Sequence, residues 1–181
     1  LFIGIVFLGS FLLFLVQPLV ARLALPVLGG SPSVWNTAML FYQAALLVGY
    51  AYAHALQRLP FRTQALVHLA LFALAAATLP IGLSAIGAAD TGAAAAVWLL
   101  KLLALSIGPV FVAVAAQAPL MQAWFARSGD DAAASPWFLY AASNSGSLAG
   151  LLAYPFLLEP FTTLPWQQAF WSGAYLLLLA L

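Results

Sequence analysis

Residues 2–25 read FIGIVFLGSFLLFLVQPLVARLAL, a run with one charge, Arg22, and one proline, Pro18, in its last third. A helix needs about 20 apolar residues to cross about 30 Å of hydrocarbon, so this run is long enough to span a bilayer. It lacks the basic n-region and the small-residue cleavage site of a signal peptide. It therefore reads as a transmembrane helix.

The rest of the chain repeats that pattern. Apolar runs cover 2–25, 34–56, 63–83, 93–116, 137–158 and 166–181. The breaks between them carry turn chemistry: Pro26 to Ser33, Gln57 to Arg62, Ser84 to Gly92 with Asp90, Arg127 to Pro136, and Glu159-Pro160. Glycines at 29 and 30 suit positive φ, and Pro32 suits the first turn of the next helix. The stretch from Ala93 to Phe125 is too long for one straight crossing. Pro109 and Pro119 are expected to kink it, with the span ending near Ala116 and Gln117, Gln122 and Trp124 in an interfacial turn. Strands are a poor alternative, because alanine and leucine dominate and no run alternates with period two. The expected fold is an all-α membrane protein, a six-transmembrane-helix bundle forming a single integral membrane domain over 1–181. The apolar start at Leu1 and the closing run Leu176 to Leu181 read as the cut ends of a fragment of a longer protein.

Composition supports the bilayer as solvent. Of 181 residues, 66% are apolar and 5% charged, and the mean hydropathy is +1.08. A soluble domain carries about 25% charged residues. A water-facing enzyme surface and a disordered chain are both excluded. The net charge of +1 leaves no footprint for nucleic acid. With no cysteine there is no disulfide frame or thiol nucleophile. The two histidines, His54 and His68, have no acidic residue between them, which is a poor metal pattern, so no metal and no cofactor is expected. Paired carboxylates, a nucleophile elbow and a phosphate loop are all missing as motifs, and Asp130-Asp131 reads as a solvated turn, so no catalytic residue is assigned.

Basic residues set the orientation. Arg58 and Arg62 lie between the second and third runs, and Arg127 between the fourth and fifth. Both links fall on one face, which the positive-inside rule makes cytoplasmic. Both ends of the chain are then cytoplasmic, in a multi-pass protein of the plasma (inner) membrane. Tryptophans 35, 98, 124, 137, 166 and 171 fall near predicted helix ends, as an aromatic belt requires.

Polar residues inside these runs are the candidate site. Lys101 lies about 10 Å into the fourth run at 1.5 Å per residue, and it either snorkels or faces a polar cavity. Arg22 and Glu159 close the first and fifth runs at matching depth, where they are positioned to pair. Ser143, Gly146, Ser147, Gly150 and Tyr154 share one helix face and contain a GxxxG, the pattern of close helix packing in lipid. Asn144 stands beside that face and needs a partner for its amide. Gln17, Asn36 and Gln43 are read as packing hydrogen bonds. Lys101 and Arg22 are expected to face a shared polar space with Asn144 nearby.

Three stretches carry a resemblance. They are Gly9 to Pro18 followed by Arg22 and Leu25 to Pro32; Val34-Trp35-Asn36-Thr37 with Phe41, Gln43 and Gly49 to His54; and Tyr140 to Ser147 closing on Tyr154-Pro155 and Leu158-Glu159-Pro160. Together they resemble the amino-terminal membrane region of the bacterial fused transporter-like/spermidine synthase proteins. The resemblance implies a helical region similar to half of a major facilitator fold. It also implies a cytosolic aminopropyltransferase-like domain of the same polypeptide as partner, besides the lipid bilayer. The implied role is a non-catalytic membrane domain that anchors the synthase and serves substrate or product handling. The alternative is half of a secondary transporter for a small solute. Gly49 is followed four places on by Ala53, where facilitators carry an acidic residue in their signature.

Overall fold

The computed structural model describes residues 1–83 and 95–181. The link around Asp90 and the start of the fourth run at Ala93 lie outside the described residues. Helix α1 spans Phe2–Leu28 and runs through both Pro18 and Pro26. Gln17 Nε2 donates to the Leu13 carbonyl at 3.3 Å, one turn back and beside the donor that Pro18 lacks. Gly29 ends the helix at φ 72°, and its N–H donates to Leu25 O at 2.9 Å. A positive φ of this kind favours glycine. Ser31 then caps α2 (Pro32–Leu56), accepting from the Val34 N–H at 3.4 Å, with Pro32 in the first turn.

Helix α3 covers Phe61–Ala75, and a 3-10 turn extends it over Ala76–Thr78. Helices α4 (Ala95–Ser106) and α5 (Gly108–Phe125) meet at a 68° bend. Helix α6 spans Trp137–Ala153 and passes through a π turn at Tyr154–Leu158 into the single turn α7, Glu159–Phe161. Helix α8 is Leu164–Ala180.

The fold is all-α, and no strand occurs among the described residues. Helices α1, α2 and α3 with its 3-10 extension are long and apolar enough to cross a membrane, and the bent α4–α5 pair makes a fourth if taken as one span. Helices α6 and α8, with 17 residues each, fall short of that length taken alone, although α6 runs on without a break through the π turn and α7 to Phe161.

Helices α1 and α5 occupy the middle. Helix α1 packs on α5, α6 and α8, while α2 leans on α4 and α5, and α3 on α5 and α8. The core between them is aromatic and aliphatic, centred on Phe111, Trp171 and Tyr175. The polar tips of these rings find backbone acceptors. Trp171 Nε1 donates to Leu12 O at 2.9 Å, and the Tyr175 hydroxyl to Phe72 O at 3.0 Å. A buried N–H or O–H left unmet in hydrocarbon is costly, so these bonds fix how α8 sits against α1 and α3.

The expected kink at Pro109 is present, with the bend at Ile107, two residues ahead of the proline, while two other expectations are corrected here. Pro109 has no N–H for the Leu105 carbonyl, so the ladder stops: Ile107 N still reaches Leu103 O at 3.0 Å, and a new helix starts with Phe111 N on Ile107 O at 2.8 Å. The span does not end near Ala116 in a turn. Helix α5 continues through Pro119 to Phe125 and carries Gln117 in its buried middle. Trp171 is no belt residue, for it is wholly buried in α8.

Candidate functional site

The α1–α6 seam is built from small residues. A Cβ on Gly146 would strike the Phe7 carbonyl, and one on Gly150 the Phe11 carbonyl, so the two backbones touch along one turn of each helix. Ser143 Oγ lies 2.9 Å from Ser10 Oγ at the next position along that seam. In lipid, dispersion and such short polar contacts hold helices together, because the tails are as apolar as leucine. Ser147 is half-buried beside them, and Asn144 turns outward, exposed and with no hydrogen bond among the described residues.

At one end of the bundle Arg22 and Glu159 come together, with Arg22 Nε 4.0 Å from Glu159 Oε1. The side chains are 33% and 50% exposed. A pair this open holds orientation and adds at most about 1 kcal/mol. Nearby, α1, α2 and α4 enclose a cavity of about 210 Å³. Gln17, Val20, Trp35, Tyr42, Leu99 and Leu103 are among its lining residues, and Arg22, Lys101 and Asn144 are not. The cavity wall is thus almost wholly apolar. Lys101 stands on the exposed side of α4. Asn36 and Gln43 stand on the exposed side of α2, and neither amide has a partner among the described residues. Gln17 is half-buried, and its backbone carbonyl accepts from the Tyr42 hydroxyl at 3.4 Å.

The opposite end holds a polar cluster around Gln64, which is fully buried near the start of α3. Its Oε1 accepts from Trp124 Nε1 at 2.7 Å and from Arg127 Nη2 at 3.4 Å. Its Nε2 donates to Leu59 O at 2.7 Å. This one amide ties the link after α2 to the link after α5, so Arg58, Arg62 and Arg127 lie at the same end.

One helical turn further in, His68 and Gln117 meet between α3 and α5. His68 Nε2 donates to Gln117 Oε1 at 2.9 Å, since an amide oxygen only accepts. Both side chains are buried. They line a cavity of about 290 Å³ with Phe2, Phe72, Met121 and Trp124. Phe72 and Trp124 pack their rings edge-to-face against the imidazole. With its proton on Nε2, the imidazole keeps the lone pair of Nδ1, which is buried without a hydrogen-bond partner among the described residues, so the pair presents an unmet acceptor in an otherwise apolar wall.

Sequence reasoning missed this inner pair. Read from the sequence, His68 suggests only a metal ligand and Gln117 an interfacial turn, whereas α5 runs straight through Gln117. The usable signal was spacing: Gln64 and His68 are four apart on α3, Gln117 and Trp124 seven apart on α5, so each pair shares a helix face. Comparison with family models, with curated proteins and with solved structures finds no match to this chain.

Proposed function

We propose that this chain is the non-catalytic integral membrane domain of a spermidine-synthase-like fused protein. It crosses the plasma membrane six times with both ends cytoplasmic, anchors an aminopropyltransferase-like domain and serves its substrate or product handling. One observation carries the reading. Two of the stretches that bear the resemblance, Gly9 to Pro18 and Tyr140 to Ser147, lie on α1 and α6, and their Ser10, Ser143 and Gly146 are used in packing those helices together. Residues spent on joining backbones suit an anchor. The joining of both basic links through Gln64 supports one positive, cytoplasmic end. The continuous helical path from Trp137 through Phe161 supports α6 with its π turn as one span.

The rival reading, half of a secondary transporter, draws on the break at Ile107 beside the cavity that Leu99 and Leu103 line, since broken helices mark transporter sites. Two measurements separate the readings. The chain has no cysteine, so single cysteines report topology cleanly. Gly30→Cys is expected to label from outside the cell and Ser128→Cys only after permeabilisation; the reverse pattern overturns the orientation. Deleting this region from the full-length protein is expected to release a soluble part that still transfers aminopropyl groups. Loss of a solute flux without any synthase activity in that part would favour the transporter.

A further inference from the structure

Helix α2 carries a second pattern that the bundle does not use. Asn36, Leu40, Gln43, Leu47, Tyr50 and His54 follow one another at alternating steps of four and three residues, and all six are exposed. That is a period of 3.5, the seam of a left-handed helix pair. Helix α2 is also long and apolar enough to span the membrane. Its inner face is taken: Gly49 sits so close to α5 that a Cβ there would lie 2.8 Å from Ala115 Cβ. The seam lies away from that contact. The Asn36 and Gln43 amides, which make no hydrogen bond among the described residues, would thus stand in hydrocarbon or at its edge. A polar side chain in that position calls for a partner helix.

We propose that this seam joins α2 to the α2 of a second copy of the chain, in a parallel two-fold pair whose axis runs along the membrane normal. Copies inserted in the same orientation place every residue of such a seam opposite itself at equal depth. The seam must then be self-complementary, and its composition meets that demand. An amide both donates and accepts, so Gln43 satisfies Gln43 of the other copy and Asn36 satisfies Asn36. Leucine packs on leucine and tyrosine on tyrosine. Among these six residues there is no Lys, Arg, Asp or Glu to repel its own image. An isolated amide at such a seam also sets register and pair number, as in coiled coils.

The inference rests on α2 crossing the membrane, and its test reports on that separately. Leu40→Cys and Leu47→Cys are made one at a time in the otherwise cysteine-free protein, in its native membranes, and oxidised with copper phenanthroline. Leu148→Cys, exposed on α6, is the control. Both seam variants are expected to give a band of twice the mass and the control none, because a disulfide needs Cα atoms about 4.4–6.8 Å apart. Membrane-bound protein with no seam crosslink, with equal crosslinking at Leu148, or with a crosslink to a different polypeptide overturns the dimer while leaving the membrane reading intact. Protein absent from the membrane fraction overturns both. Gln43→Leu is expected to weaken the dimer about 3- to 30-fold in detergent and Gln43→Asn to restore most of it. Unchanged association in Gln43→Leu removes the amide from the argument and overturns the proposal. Folding is not at stake in these variants, since the side chains touch no core residue through a hydrogen bond and point away from α5.

Discussion

Helices α1 and α2 have nearly the same length, 27 and 25 residues, and both are long and apolar enough to span a bilayer. They treat their surroundings in opposite ways. In its most apolar stretch α1 has 56% of residues buried inside the bundle, against 33% for α2. The more apolar helix is the buried one, as in a soluble protein, yet hydrophobic burial cannot be the cause in lipid. What separates them is the fit of their neighbours. Helix α1 meets glycines on α6 and the indole N–H of Trp171, so partners approach it on several sides. Helix α2 offers such closeness only at Gly49, toward α5. Small residues and directed hydrogen bonds decide which helix becomes the centre.

The contrast is broken most strongly at Gly146. Gly146→Ala puts a methyl group onto the Phe7 carbonyl, and that atom is backbone and cannot swing aside. The expected loss is about 3 kcal/mol, at the upper end of overpacking costs, read as a fall in melting temperature and in yield from detergent extracts. A variant that melts with the parent would show that α1 is not held by the α6 seam. A smaller effect belongs to α2. Gly49→Ala meets the Ala115 methyl at 2.8 Å and Val112 O at 3.1 Å, a milder approach than that of the Phe7 carbonyl to Gly146. About 1 kcal/mol is expected in the same melt, with partial recovery in the double variant Gly49→Ala/Ala115→Gly. If Gly49→Ala costs as much as Gly146→Ala, the two helices are equally anchored and the contrast fails. The smallest effect is at Lys101, on the exposed side of α4. Lys101→Met is expected to leave stability within about 0.5 kcal/mol or raise it slightly, since a snorkelling ammonium is replaced by an apolar chain of like length. A clear destabilisation would give Lys101 a partner that the described residues do not provide.

Much of this was legible in the residues. The apolar runs marked the helices, because a backbone in hydrocarbon has few other ways to satisfy itself. Gly29, Ser31 and Pro32 marked the first turn, since their local chemistry acts within a few residues. The common face of Ser143, Gly146 and Gly150 could be read from spacing alone. Its partner could not, for nothing in a periodic pattern says which of several apolar helices will lie against it. The same limit hid His68 and Gln117, which are 49 residues apart in sequence and 2.9 Å apart in space.

Composition and periodicity by themselves determined that the chain is helical, suited to lipid and free of the usual catalytic motifs. Those properties are sums over residues and need no knowledge of neighbours. Tertiary structure alone decided that Pro109 breaks its run at Ile107 while α5 absorbs Pro119, and α1 Pro18, because the cost of a missing N–H depends on what packs around the freed carbonyl. It also decided which polar groups are met. Gln64, Gln117 and Trp171 found partners across helices, whereas Asn36, Gln43 and Asn144 found none among the described residues. In a solvent that offers no hydrogen bonds, that assignment is made by the approach of one helix to another, and no single helix contains it.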